Sequence, residues 1–186
     1  MEMEKGYWRF AAMIATSMAV MFALMYLNTY AWEHARWSET RFYMTFIMGA
    51  GMAVVMLSFM LGMYKNKTIN IGIYVGAVVV FFLALWLVRS QATVSDRSYM
   101  SAMIPHHSIA ILTSERAQIE DVRVRELADS IITAQRREIK EMDWLLNDIA
   151  QNGVAQTDAE AATRSVPDFR GGLNPTDPAG SNVSEE

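Results

Sequence analysis

Phe42-Tyr-Met-Thr-Phe-Ile-Met-Gly-Ala-Gly-Met-Ala-Val-Val-Met-Leu-Ser-Phe-Met-Leu-Gly-Met-Tyr64 is a run of 23 residues without a charged side chain. Coiled as an α-helix it reaches about 35 Å, enough to cross a hydrocarbon layer of about 30 Å. Residues 10–32 before it and 68–88 after it are also uncharged, so 67 of the first 88 residues lie in three such blocks. Lipid offers no partner to a backbone N–H or C=O, so each block is predicted to be a helix that satisfies its own backbone. The expected spans are 10–30, 42–64 and 69–88, forming a membrane domain over 1–89. The first block is too long for a secretory signal and is followed by no small-residue cleavage site, so it reads as a retained anchor.

Charge orients these spans. Lys65 and Lys67 sit in the short turn between the second and third, and Lys5 and Arg9 precede the first. The preference of basic residues for the cytoplasmic side puts that turn and the N-terminus inside, and residues 89–186 outside. Arg36, Arg41 and Arg89 run against the rule. Net charge is −4, divided as +2 over 1–88, −2 over 89–150 and −4 over 151–186. No segment is strongly basic, which argues against nucleic-acid binding. The chain has no cysteine, which excludes disulfides, thiol catalysis and thiolate metal sites.

Past Arg89 the pattern changes to that of a water-facing helical hairpin, expected over 90–153. Ser95 or Asp96 caps a helix to about Ala117, and Asp121 caps a second that ends before Gly153. So short a link makes the helices antiparallel neighbours. The remaining residues, 154–186, hold three of the four prolines and show no periodicity, and are expected to be disordered.

The candidate site lies on the hairpin. At helical spacing Met100, Met103 and His107 share one face of the first helix, with His106 further round beside Tyr99. Pro105 is expected to kink that helix. On the second helix Val124, Leu127, Ala128, Ile131, Leu145, Leu146 and Ile149 form an apolar stripe that also contains Gln135, Glu138 and Met142. Arg136, Arg137, Lys140 and Asp143 fall outside it, as a solvated face would. A carboxylate inside a packing stripe needs a partner. Folding the hairpin about residue 119 sets Met103 against Gln135, Met100 against Glu138, and the two histidines against Ile131 and Ile132. Thioether and imidazole donors suit soft ions, Cu(I) above all.

Methionine is also abundant in the spans, 15 in the whole chain, with Met44, Met48, Met52, Met56 and Met60 recurring every four residues. A soft-metal path through the membrane is one reading; flexible packing beside Gly49, Gly51 and Gly62 is favoured.

Asp96-Arg-Ser-Tyr-Met-Ser-Ala-Met-Ile-Pro-His-His-Ser-Ile-Ala110, followed by Gln135, Glu138-Ile139 and Met142-Asp-Trp-Leu145, resembles the ferritin-like family catalogued as domain of unknown function 305. The resemblance covers about residues 95–150, and the three-span leader looks like a membrane-anchored branch. It implies a helical bundle outside the cytoplasmic membrane, in a family with some periplasmic copper- or silver-binding relatives. The ligands it suggests are Met103, His106, His107 and Met142, supported by Gln135 and Glu138. Many relatives carry a methionine where this chain has Thr113, a departure that bears most on His106.

The expectation is an all-α protein: three transmembrane helices, then an extracytoplasmic hairpin that dimerises into a four-helix, ferritin-like bundle. It would sit in the bacterial inner membrane and bind copper (Cu(I)) or silver through Met100, Met103, His106, His107, Glu138 and Met142. Its partners would be the lipid bilayer, a second copy and an envelope metal-handling protein. The alternative is an envelope assembly module without metal. Catalysis is not expected: the Glu-x-x-His pairs of di-iron sites, the zinc-protease motif and the phosphate loop are missing from the sequence.

Overall fold

The computed structural model describes residues 2–169, with side chains from Gly6 onward. The chain is helical, with no strand among the described residues: α1 (Glu2–Leu24), α2 (Glu39–Phe59), α3 (Lys67–Ser90), α4 (Asp96–Arg116), α5 (Val122–Asn152) and α6 (Asp158–Thr163), with one 3-10 turn at Trp32–His34. Two compact units result: 1–27 with 38–94, and 28–37 with 95 onward.

The first unit contains three helices long and apolar enough to cross a membrane, at Gly6–Leu24, Glu39–Phe59 and Lys67–Ser90. The first ends earlier than the uncharged block suggests, because charge at the next helix fixes its exit. Arg41 Nη1 donates to the Met25 carbonyl at 2.9 Å, and its guanidinium lies 4.5 Å from the centre of the Tyr26 ring. A cation on the last carbonyls of a helix is favourable there. Ser38 caps α2, and Asn66 caps α3 by accepting from Thr68 N and Ile69 N.

Methionine and glycine fill this unit as the packing reading expects. Phe10, Leu57 and Tyr64 form its core, with Met13, Met56 and Met60 against them. The Met18 thioether occupies the space that a side chain at Gly49 would need: a Cβ there would lie 2.3 Å from the sulfur. One polar knot crosses the unit. Tyr7 Oη donates to Asn70 Oδ1 at 2.8 Å, and Asn70 Nδ2 donates to the Tyr64 carbonyl at 2.6 Å.

The second unit is the expected hairpin with an addition. Residues 28–37, which join α1 to α2, pack onto α4 and α5. The backbone N–H of Tyr30 donates to Ser108 Oγ at 2.7 Å, and the Tyr30 ring lies against the core of Ile104, Ile111 and Ile139. The domain that sequence reading bounded at 90–153 therefore also contains this loop. Helix α4 continues through Pro105, which is buried.

The added loop changes which side of α5 is buried. Val124 and Leu127, assigned to the packing stripe, are exposed; Ala128 of that stripe is buried, and with it Arg136 and Ile139 from outside the stripe. Arg136, assigned to the solvated face, forms an ion pair with Glu115 and lies 5.8 Å from the centre of the Tyr30 ring. Asp143, likewise assigned to water, is half-buried and pairs with Arg36 at 2.7 Å. The inward arc of α5 is thus turned toward Ile132, Arg136, Ile139 and Asp143, because the loop supplies a third surface on that side.

Part of the tail is ordered, contrary to expectation. Thr157 and Glu160 form a reciprocal capping box that starts α6. Arg164 Nη1 then donates to Asp148 Oδ2 at 2.7 Å and ties the segment back to α5. Glycine at 153 makes this return possible, with φ at +77°. The rest of the expected disorder, 170–186, lies outside the described residues.

Candidate metal site on the helical hairpin

His107 stands at the centre of the site. Its Nδ1 is 2.9 Å from the Met103 carbonyl, one turn back on α4. A carbonyl can only accept, so the ring proton sits on Nδ1 and Nε2 is directed across to α5. There it meets Glu138 Oε2 at 2.7 Å. A contact that short between a ring nitrogen and a carboxylate oxygen holds a proton between them: imidazolium against carboxylate, or neutral imidazole against carboxylic acid. A metal ion would replace that proton. Histidine ligands commonly donate their second ring N–H to a carbonyl, which fixes tautomer and orientation. His107 is buried and Glu138 half-buried, so the pair lies at the edge of the core with one side open.

The pairing of His107 with Glu138 also corrects the register. The hairpin turns near residue 122 rather than 119, because the link from Ala117 to Asp121 is not helical and α5 starts only at Val122. Met103 precedes His107 by one turn, and Met142 follows Glu138 by one turn. On antiparallel helices these steps run the same way, so the two thioethers fall level with each other. Met142 packs on the Ile104, Ile111 and Ile139 core, and Met103 is half-buried. Met100 is buried a further turn along. His106 is exposed, with its ring centre 6.1 Å from that of His107. Four of the six predicted ligands, Met103, His107, Glu138 and Met142, thus share one stretch of the hairpin. Met100 lies deeper, and His106 outside.

Gln135 is half-buried, and its Oε1 has no hydrogen-bond partner among the described residues. No three His, Asp or Glu side chains gather at one point among those residues. A single imidazole and a single carboxylate cannot encage a hard divalent ion.

A second polar centre adjoins the first, and sequence reading missed it. His34, from the 28–37 loop, is only 2% exposed, and its Nδ1 lies 2.8 Å from Ser108 Oγ, the residue after His107. Its Nε2 is buried without a hydrogen-bond partner among the described residues. Burial holds the His34 imidazole below its ordinary value of 6.5, opposed by the Asp143 carboxylate. Burial conversely raises Asp143, with Arg36 opposing. The available signal was the aromatic density of the loop, of which Tyr30 packs on the hairpin core while Trp32 and Trp37 are exposed.

Residues 89–178 match the model of a family described as Domain of unknown function (DUF305). An uncharacterized protein of Acanthamoeba polyphaga mimivirus is 29% identical over 147 residues, covering 74% of this chain and 93% of the relative. No solved structure matches the chain.

Proposed function

We propose that this chain, whose residues 89–178 match the DUF305 family model, binds a soft metal ion, Cu(I) or Ag(I), on its helical hairpin. The observation that carries this reading is the tautomer of His107. With Nδ1–H given to the Met103 carbonyl, Nε2 is the only ring nitrogen left to coordinate, and it faces Glu138 at 2.7 Å. Met103 and Met142 supply thioethers at the same level. His106 takes no part in this set within one chain.

Two copies pairing along α5 would complete the coordination and the bundle. Supporting this, Val124 and Leu127 are exposed, and Ile131, Leu145 and Ile149 are only partly covered. A hairpin with a bare apolar flank is served by a second hairpin. On this reading the three membrane-length helices anchor the domain on the outer face of a cytoplasmic membrane, as the Lys65 and Lys67 turn suggests. The role is sequestration or handling of metal without catalysis.

The test is Cu(I) affinity of the full chain in mild detergent, measured against a chromogenic Cu(I) chelator. His107→Gln, and Met103→Leu with Met142→Leu, should each weaken binding at least about tenfold, the loss of about 1.4 kcal/mol of ligand energy. His106→Gln should change it little. Wild-type affinity in the His107 variant would overturn the metal reading and leave an assembly module. Light scattering of Leu127→Glu against the unaltered chain tests the pairing separately, with a shift to monomer expected.

A further inference from the structure

At the end of the first unit where α1 begins and α2 ends, a cleft of about 480 Å³ opens between Arg9 and Lys65. Its floor and walls are apolar: Phe10, Met13, Met60 and Met63 line it together with Tyr64. The aromatic wall is preformed. The Tyr64 ring packs at 4.9 Å on Tyr7 and at 5.5 Å, edge to face, on Phe10, and the Tyr7 hydroxyl is tied to Asn70. Neither Arg9 nor Lys65 forms an ion pair among the described side chains, and both are exposed.

The cleft lies at the depth of a lipid headgroup. Gly6 starts the first membrane-length helix, and α2 ends at Phe59 just before Met60. Trp8 is 77% exposed there, Phe59 89% and Met63 72%, surfaces that water would not favour. Indole is at home in the interfacial layer, and a basic side chain near a helix end reaches toward phosphate. Two cations above an apolar, sulfur-rich wall match a molecule with an anionic head and a hydrocarbon tail. A free anion would use the cations only.

We infer that this cleft is a binding site for an anionic phospholipid, its phosphate between Arg9 and Lys65 and its acyl chain along Met13, Met60 and Met63. The site is independent of the hairpin and of any metal it binds. Each basic group at a membrane surface contributes about fivefold to anionic lipid affinity.

Native mass spectrometry of the full chain in mild detergent reads the result, with dioctanoylphosphatidylglycerol and dioctanoylphosphatidylcholine as probes. Phosphatidylglycerol should be retained over phosphatidylcholine by tenfold or more. Arg9→Gln combined with Lys65→Gln should reduce its retention to the phosphatidylcholine level, whereas Arg89→Gln should leave it unchanged. Millimolar inorganic phosphate should not displace the lipid. Equal retention of the two lipids would overturn the inference. So would an unaffected double variant with an unchanged far-ultraviolet circular dichroism spectrum, or displacement by phosphate, which would make the occupant a soluble anion. Arg9 and Lys65 are exposed and outside the packed core, so misfolding of the variant is not expected.

Discussion

The three long apolar helices and the hairpin bury different kinds of side chain. Inside the first unit the close contacts are between Met18 and Gly49 and among Phe10, Leu57 and Tyr64. The polar side chains buried in the first unit, Ser38, Thr45 and Asn70, are neutral, whereas those buried in the second, His34, His107, Ser108 and Arg136, include three ionisable ones. The proposed placement of α1–α3 in a membrane and of the hairpin in water accounts for the contrast. Lipid tails are as apolar as the helix surfaces, so association there depends on shape, on small residues and on flexible thioethers. In water, burial of apolar surface drives the hairpin together, and polar groups taken inside must find partners. The His107–Glu138 pair, where a metal ion is proposed, belongs to that second regime.

The largest expected effect comes from removing the buried member of the hairpin's Arg136–Glu115 ion pair. Arg136→Ala leaves the exposed Glu115 to water and opens space beneath Tyr30; a loss of about 2–3 kcal/mol, mostly of packing, is expected. Amide hydrogen exchange should accelerate in α4 and α5 while α1–α3 stay protected. Arg136→Met, which keeps the bulk without the charge, should cost less, and that difference separates packing from pairing. The converse change is Gly49→Ala, which forces Met18 aside. About 1–3 kcal/mol is expected from such overpacking, read as easier unfolding of α1–α3 in a denaturing detergent titration with the hairpin unaffected.

Ser108→Ala removes the acceptor of the Tyr30 N–H and the partner of His34 Nδ1. A loss of about 1–2 kcal/mol should appear as faster exchange confined to residues 28–37 and the adjoining turns of α4. The smallest effect is that of pH. The folded His34 value is depressed below 6.5, so the unfolded loop binds the proton first. The stability given by neutral His34 is complete above pH 6.5 and is lost as pH falls through the depressed folded value. Exchange at residues 28–37 should therefore rise several-fold on acidification, and His34→Asn should flatten the dependence.

Much of this architecture was legible in the chain. Uncharged blocks of bilayer length and the Ser95 and Asp121 starts of the hairpin read directly, because each depends on neighbours within a few residues. Met103, His107, Glu138 and Met142 were singled out from their spacing and from the family resemblance, but not the contact of His107 with Glu138. Their register was displaced by about two turns, since folding about residue 119 assumed helices that meet at the link. The assignment of Arg136 and Asp143 to water failed for a different reason. A two-helix calculation has no place for a third surface, and nothing local in residues 28–37 says that they return to α4.

Composition and periodicity by themselves determined the five long helices, though not α6, and which of them are long and apolar enough to cross a membrane, because charge-free length and capping act within a few turns of one helix. Only the tertiary structure decided which arc of α5 faces inward, that His34 joins Ser108, and that His107 Nε2 meets Glu138. Those outcomes depend on contacts between residues 31 to 107 positions apart, and such contacts leave no period in the sequence.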